Sequence, residues 1–268
     1  MRSFFFVIIF GFFSCFLFAG GNISMSDSES KSLGGCSIST SNIWSSLNNQ
    51  AGLAKIKYIS FGLAIENQYG LKELSNYAAV FALPLHRGVL SLNLNYNGFE
   101  LYNNTKVGLG FGKQLSKTFA LGIQLDYLGI YIAEKNITLS NYTFEIGVQK
   151  ELNKKLLLGV HLINPTSVSI NKNELIPTLF KIGLRHQTNS KVRLLGEYEL
   201  ESEQEEQLKF GIGYQLIKEL ELRIGINTKI ASNSFGLGYN LNNININFSV
   251  TRHEVLGYST QFSVSNHF

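Results

Sequence analysis

The 268-residue sequence predicts an all-β protein: a transmembrane antiparallel β-barrel of about 14 strands with a short N-terminal hatch in its lumen. Three observations predict it. After residue 54, apolar and aromatic residues recur at every second position in successive segments, the period of a strand with one apolar face. Only 16% of residues are charged although 44% are hydrophobic, where an average chain is roughly 25% charged. The final segment, Tyr258, Thr260, Phe262, Val264, Asn266 and Phe268, alternates to a terminal aromatic residue. The apolar content excludes disorder. Nucleic acid is excluded as a partner, because 23 Lys and Arg are scattered among 19 Asp and Glu without a basic run.

The chain divides at residues 21 and 54. Residues 1–21 read as a secretory signal peptide: Arg2 precedes an uncharged run from Phe4 to Phe18, and Ala19-Gly20-Gly21 supplies small residues for cleavage. The run is shorter than the roughly 20 residues of a spanning helix. Cys15 lies inside it, and Cys36 follows the hydrophilic stretch Ser26 to Lys31 rather than an apolar one, so neither marks a lipoprotein. Cys36 is expected as a small buried or half-buried thiol without a disulfide partner in the mature chain. Residues 22–54 are the N-terminal segment and expected lumen hatch, and residues 55–268 the transmembrane barrel.

The alternating segments run, in order, Ile59–Ile65, Tyr77–Leu83, Leu90–Tyr96, Val107–Phe111, Phe119–Tyr127, Tyr142–Val148 and Leu156–Leu162. Phe180–Leu184, Val192–Leu200, Leu208–Tyr214, Leu220–Ile226, Phe235–Tyr239, Ile244–Val250 and Tyr258–Val264 complete the even set. Alternation alone does not separate a membrane barrel from a soluble sandwich; connections and ends do. With the first strand starting in the periplasm, the turns at residues 84–88, 114–117, 151–155, 187–190, 217–219 and 241–243 are short, while Asn97–Thr105, Ile130–Asn141 and Asn164–Ile176 on the other side are longer. That asymmetry characterises outer-membrane barrels. Tyrosines such as Tyr69, Tyr96, Tyr127, Tyr142, Tyr214 and Tyr239 sit near the ends of apolar runs, as interfacial girdles do. Phe262, Val264 and Phe268 resemble the C-terminal strand signal read by the barrel assembly machinery.

The interleaved positions face the lumen. They include Glu66, Lys106, Asp126, Glu145, Lys181, Arg185, Arg193, Glu197, Glu199, Lys209, Glu221 and Arg223, together with many glycines. Charges of both signs either pair across strands and close the bore or line a wet passage. The glycines leave room for a plug or ligand and permit strand curvature. Ser32 to Ala54, with the single Trp44 and small residues throughout, are the expected occupants of that room.

Leu33-Gly34-Gly35, the stretch around Trp44, and Asn49-Gln50-Ala51-Gly52-Leu53-Ala54 resemble the N-terminal segment of the PorV/PorQ outer-membrane proteins and, more distantly, of the FadL fatty-acid transporters. That segment reads L-G-G-A followed by N-P-A-G-L; here Cys36 replaces the alanine and Gln50 the proline. Phe119 to Tyr127 and Leu158 to Pro165 are similar to strand patterns of the same group. The resemblance implies a fourteen-stranded barrel with an N-terminal hatch, carrying Gly34, Gly35, Trp44, Asn49, Gln50 and Gly52, in the outer membrane of a Bacteroidetes-like bacterium.

It also implies two functions. One is a partner-binding subunit of a type IX-like secretion complex, contacting other outer-membrane proteins or secreted cargo; the other is passage of hydrophobic small molecules. Modest outer loops and inward positions that are mainly Gly and polar favour the first on sequence grounds. Catalysis is not expected. His86, His161, His186, His253 and His267 accompany no G-x-S-x-G motif and no metal-ligand spacing, and no cofactor is implied.

Overall fold

A computed structural model of the protein describes residues 25–171, 174–202, 206–228 and 231–268. The signal peptide at residues 1–21 lies outside the described residues. The barrel strands are β1 (Ser60–Asn67), β2 (Ser75–Leu85), β3 (Gly88–Phe99), β4 (Tyr102–Ser116), β5 (Phe119–Ile132), β6 (Ile137–Asn153) and β7 (Leu156–Ile163). A small hairpin, β8 (Ser169–Asn171) and β9 (Glu174–Leu175), interrupts the series. It resumes with β10 (Leu179–Gln187), β11 (Val192–Glu201), β12 (Gln207–Gln215), β13 (Leu220–Asn227), β14 (Ser232–Leu241), β15 (Ile244–His253) and β16 (Gly257–His267). Fourteen of these close an antiparallel barrel in chain order, with β7 paired to β10 around the hairpin.

Closure is made by β1 and β16, in register from Ser60 opposite His267 to Asn67 opposite Thr260. The Phe268 N–H donates to Ile59 O at 2.9 Å, extending the seam by one bond. Phe262 lies opposite Ile65 and Phe248, and Val264 opposite Leu63 and Ile246. These two residues therefore stand on the outer surface of the seam, while Phe268 is 71% exposed at its end.

Register fixes which face each side chain takes. Outward positions such as Leu63, Leu92, Ile123, Leu125, Phe210 and Phe235 leave large apolar side chains exposed, a continuous surface that lipid rather than water satisfies. Among the described residues no helix is long and apolar enough to cross a membrane; strands do the crossing. The inward face differs from expectation on β1 to β3. Ala64, Ala78, Val80, Ala82 and Val89 are buried there, so small apolar groups stand in this arc of the lumen among the polar residues Glu66, Asn76, Ser91, Asn93 and Asn95.

One end of the barrel carries tight turns, at residues 86–87, 117–118, 154–155 and 242–243. Asn242 has φ of +50°, a conformation asparagine tolerates in two-residue hairpins. The loop end is less elaborate than the sequence suggested. β3 and β4 continue to Phe99 and Tyr102, and β5 and β6 to Ile132 and Ile137, leaving only residues 100–101 and 133–136 between them. The reason is cross-strand pairing of polar residues beyond the apolar band, such as Asn97 opposite Asn104, which hydrophobic alternation does not register. Residues 164–178 remain the long connection, as expected.

The lipid-facing assignment predicts depth-dependent costs. Leu125→Arg, at the middle of β5, is expected to lower stability in vesicles by about 2–4 kcal/mol in denaturant titrations, whereas Leu152→Arg, beside the β6–β7 turn, costs about 0–1 kcal/mol. Equal costs at both positions would contradict the membrane placement.

Candidate functional site

The lumen is filled by residues 25–54, none of which is exposed. The plug starts with α1 (Ser28–Ser32), capped by Asp27, whose carboxylate accepts from the Glu29 and Ser30 backbone N–H groups. A four-residue helix, α2 (Ser45–Asn48), and a 3-10 helix (Gln50–Lys55) follow. Asn49 caps the latter through Ala51 N–H at 3.2 Å. Gly34 and Gly35 follow the end of α1, and the extended backbone of Asn49 separates α2 from the 3-10 helix. Gly34 and Gly35 hold φ of +72° and +89°, which glycine alone adopts without strain. A Cβ on Gly34 would stand 2.5 Å from Ile226 O of the wall.

The wall yields to the plug in the same way. A Cβ on Gly225 would collide with Leu33 and Gly34 backbone, one on Gly122 with Gln50 and Ala51 backbone, and one on Gly147 with Asn49 Oδ1. Gly159 meets Ile38 O and Gly211 meets Leu33 likewise. The inward glycines are thus a floor on which plug backbone lies directly. Opposite them Trp44, 2% exposed, packs with Ile43, Leu47 and Leu53 against Ala64, Ala78 and Val80 of β1 and β2.

The inward charges form clusters, and each cluster also grips the plug. On β4 to β7, Lys106 pairs with Glu145 and, at 3.5 Å, with Asp126, while His161 Nε2 lies 3.0 Å from Glu145. Gln50 Nε2 donates to Glu145 at 2.8 Å. Gln50 therefore supplies a side-chain anchor that a proline at this position could not. On β10 to β12, Glu199 takes Lys181 at 3.0 Å and Lys209 at 2.5 Å. Neighbouring Glu197 accepts the plug backbone N–H groups of Ser37 at 2.7 Å and Ile38 at 3.1 Å. On β11 and β13, Arg193 and Arg223 share Glu221, and Arg193 Nη1 reaches Glu29 of α1 at 2.8 Å. Arg223 also donates to Asn247 at 2.7 Å. Lys31 pairs with Glu66 at 2.8 Å. Arg185 is half-buried and faces the cluster of Arg193 and Arg223, near enough to Glu29 to act on its carboxylate.

The charges at α1, Asp27, Glu29 and Lys31, lie within the segment that the sequence set at residues 22–54 but were given no role there. Their signal was present: an Asp cap before Ser-Glu-Ser-Lys is a helix start. Burial raises the Asp27 carboxyl from 3.8 to about 6, and Glu29 beside it adds to the rise. Burial alone would raise Glu29 as well, but the Arg193 and Arg223 guanidiniums hold it down at about 2. The Cys36 thiol, fully buried against Leu33 and Leu195, is pushed up by burial and by Glu197, which makes it unreactive.

Two openings flank the plug. At the loop end a cavity of about 290 Å³ lies between Lys31, Gly34 and Gly35 of the plug and Asn76, Asn95 and Asn104 of the wall. Toward the turn end a cavity of about 230 Å³ is bounded by Glu29, Arg193, Glu221 and Arg223. Among the described residues no group of His, Cys, Asp and Glu could hold a metal ion.

Plug docking is predicted to depend on the glycine floor and on pH. Gly225→Val should leave a folded barrel whose residues 33–35 become susceptible to protease, while Gly196→Val, where an added Cβ meets only Phe210 at 3.8 Å, should not. Asp27 binds its proton more tightly in the docked plug, so its contribution is full below about pH 4 and lost as pH rises through about 6. Glu29 contributes above its ordinary 4.5 and loses that contribution only as pH falls toward about 2. Quenching of Trp44 fluorescence by a soluble agent should therefore increase between about pH 4 and 6. Asp27→Asn, which keeps the cap, should flatten that rise.

No protein-family model matches the sequence, and no curated protein matches it. Solved structures do. The Pseudomonas putida toluene transporter TodX aligns with a TM-score of 0.69 at 12% identity, over 92% of this chain and 99% of that one. The CymD monoaromatic hydrocarbon channel aligns with a TM-score of 0.74 at 11% identity, over 92% and 98%. A Pseudomonas aeruginosa FadL homologue aligns with a TM-score of 0.65 at 10% identity, over 90% and 97%. The likeness is one of fold: a closed 14-strand barrel of the outer-membrane type.

Proposed function

We propose that this protein is a plugged outer-membrane channel that passes small molecules when its plug is displaced. The observation that carries this reading is the pair of cavities at the two ends of the lumen, divided by a plug held mainly through polar contacts with the wall. A plug fixed by an apolar core alone would be costly to move stepwise. Hydrogen bonds and ion pairs can exchange with water and solute one at a time. The fold neighbours support passage over the partner-binding secretion role, and their named solutes, toluene and monoaromatic hydrocarbons, make hydrophobic small molecules the first class to test. Residence in the outer membrane, and recognition of Phe262, Val264 and Phe268 by the assembly machinery, are part of the same proposal.

Liposome swelling with the mature chain tests it. Glu29→Ala removes one plug anchor while Arg193 keeps Glu221, and should raise the flux of small solutes several-fold over the parent chain. If deletion of residues 25–54 leaves a folded barrel with flux no greater than the parent, the channel reading fails.

A further inference from the structure

We propose that the loop-end cavity binds a small, uncharged polyhydroxylated solute, a mono- or disaccharide; this rests on the channel reading and names its solute class. The cavity is about 290 Å³, near the lower bound of ligand pockets at roughly 300 Å³. One of its walls is a row of polar side chains brought together by register. Glu66 of β1 lies opposite Asn76 of β2, Asn76 opposite Asn97 of β3, and Asn97 opposite Asn104 of β4.

The hydrogen bonds in this row run one way. Asn76 Nδ2 donates to Glu66 at 2.9 Å, and Asn97 Nδ2 donates to Asn76 Oδ1. The row ends on Asn104, whose Oδ1 is buried and has no partner among the described residues, and the same holds for Asn95 Oδ1 one step deeper in the barrel. Both residues are 5% exposed and both line the cavity. A buried acceptor without a donor is costly, and two at one cavity fit an occupant that supplies O–H or N–H groups.

Charge narrows the occupant further. Three lysines on the cavity, Lys31, Lys181 and Lys209, are matched in number by three glutamates on the same lining, Glu66, Glu199 and Glu201, with Lys31 on Glu66 and both Lys181 and Lys209 on Glu199 within 3.0 Å, so the lining carries no net charge that would favour an anion or a cation. Gln68 and the Ser232, Ser234 and Thr251 hydroxyls add neutral groups to the lining. Vicinal hydroxyls, which both donate and accept, match such a surface; a hydrocarbon would desolvate it and leave the Asn95 and Asn104 carbonyls unanswered.

The test pairs calorimetric titration of the detergent-solubilised mature chain with liposome swelling, using glucose, sucrose, glycine and toluene as probes. The expected result is saturable sugar binding and flux, each weakened about ten-fold by Asn104→Leu and by Asn95→Leu. Both variants should keep the heat-resistant gel mobility of a folded barrel, because the carbonyls removed have no partner to lose. Toluene or glycine entering while neither sugar binds would overturn the solute class and leave the channel reading standing. Sugar binding unchanged in both variants would overturn the assigned site. No flux of any probe, even after residues 25–54 are deleted from a barrel shown to be folded, would overturn the channel reading itself and this inference with it.

Discussion

The structure depends on the direct contact of plug backbone with inward glycines. A lumen ringed by fourteen strands has too little width for a second layer of chain if every inward position carries a side chain. Here Gly225, Gly122, Gly147 and Gly159 remove the side chain at the positions where Gly34, Gln50, Asn49 and Ile38 approach. The plug answers with glycines and short side chains of its own. Packing at that distance excludes water and leaves the plug's backbone groups dependent on the wall for partners. Polar wall residues therefore stand beside the glycines: Gln149 donates to Ile38 O and Thr40 O, and Asn93 donates to Ser46 O.

The ionic clusters follow from the same confinement. Charges buried in a bore gain little net stability from pairing, because desolvation offsets much of the attraction, but removing one partner is severe. Their value here is positional. Glu145, Glu197 and Glu221 each balance wall cations and reach the plug, through Gln50, through the Ser37 and Ile38 amides, and through the shared Arg193 to Glu29 respectively, while Glu66 takes the plug's own Lys31. Each contact lies on a different arc of the barrel, so together they fix the plug's orientation. The pH sensitivity of Asp27 and Glu29 makes α1 the segment of this arrangement most responsive to its surroundings.

Much of this was legible in the sequence. Period-two alternation marks all fourteen barrel strands, since each has one face in lipid, and it assigns Asp126, Glu145, Arg185, Arg193, Glu197 and Arg223 to the inner face without coordinates. Trp44, Asn49 and Gly52 stood out as plug residues because a charge-poor stretch precedes the first strand. Strand ends were less legible: Asn97 and Asn104 pair beyond the lipid band, where no hydrophobic signal exists. Asp27, Glu29 and Lys31 showed no role, because the wall residues that Glu29 and Lys31 meet, Arg193 and Glu66, are remote from them in sequence. Ala64, Ala78 and Val80 interleave with larger outward residues, and in an apolar run nothing local says that both faces are covered. The pairing of Gln50 with Glu145 joins residues 95 positions apart, and sequence spacing carries no trace of it.

The central claim is that the plug gates the barrel, and tethering it to the wall tests this most directly. Ser28 Oγ of α1 lies 3.1 Å from Ser249 Oγ of β15, with both residues fully buried, a geometry within reach of a disulfide. In a Cys36→Ser background, solute flux into liposomes through the Ser28→Cys, Ser249→Cys variant is predicted to stop when the pair is oxidised and to return on reduction. Flux that is equal in the oxidised and reduced states, with the cross-link verified, would contradict the account.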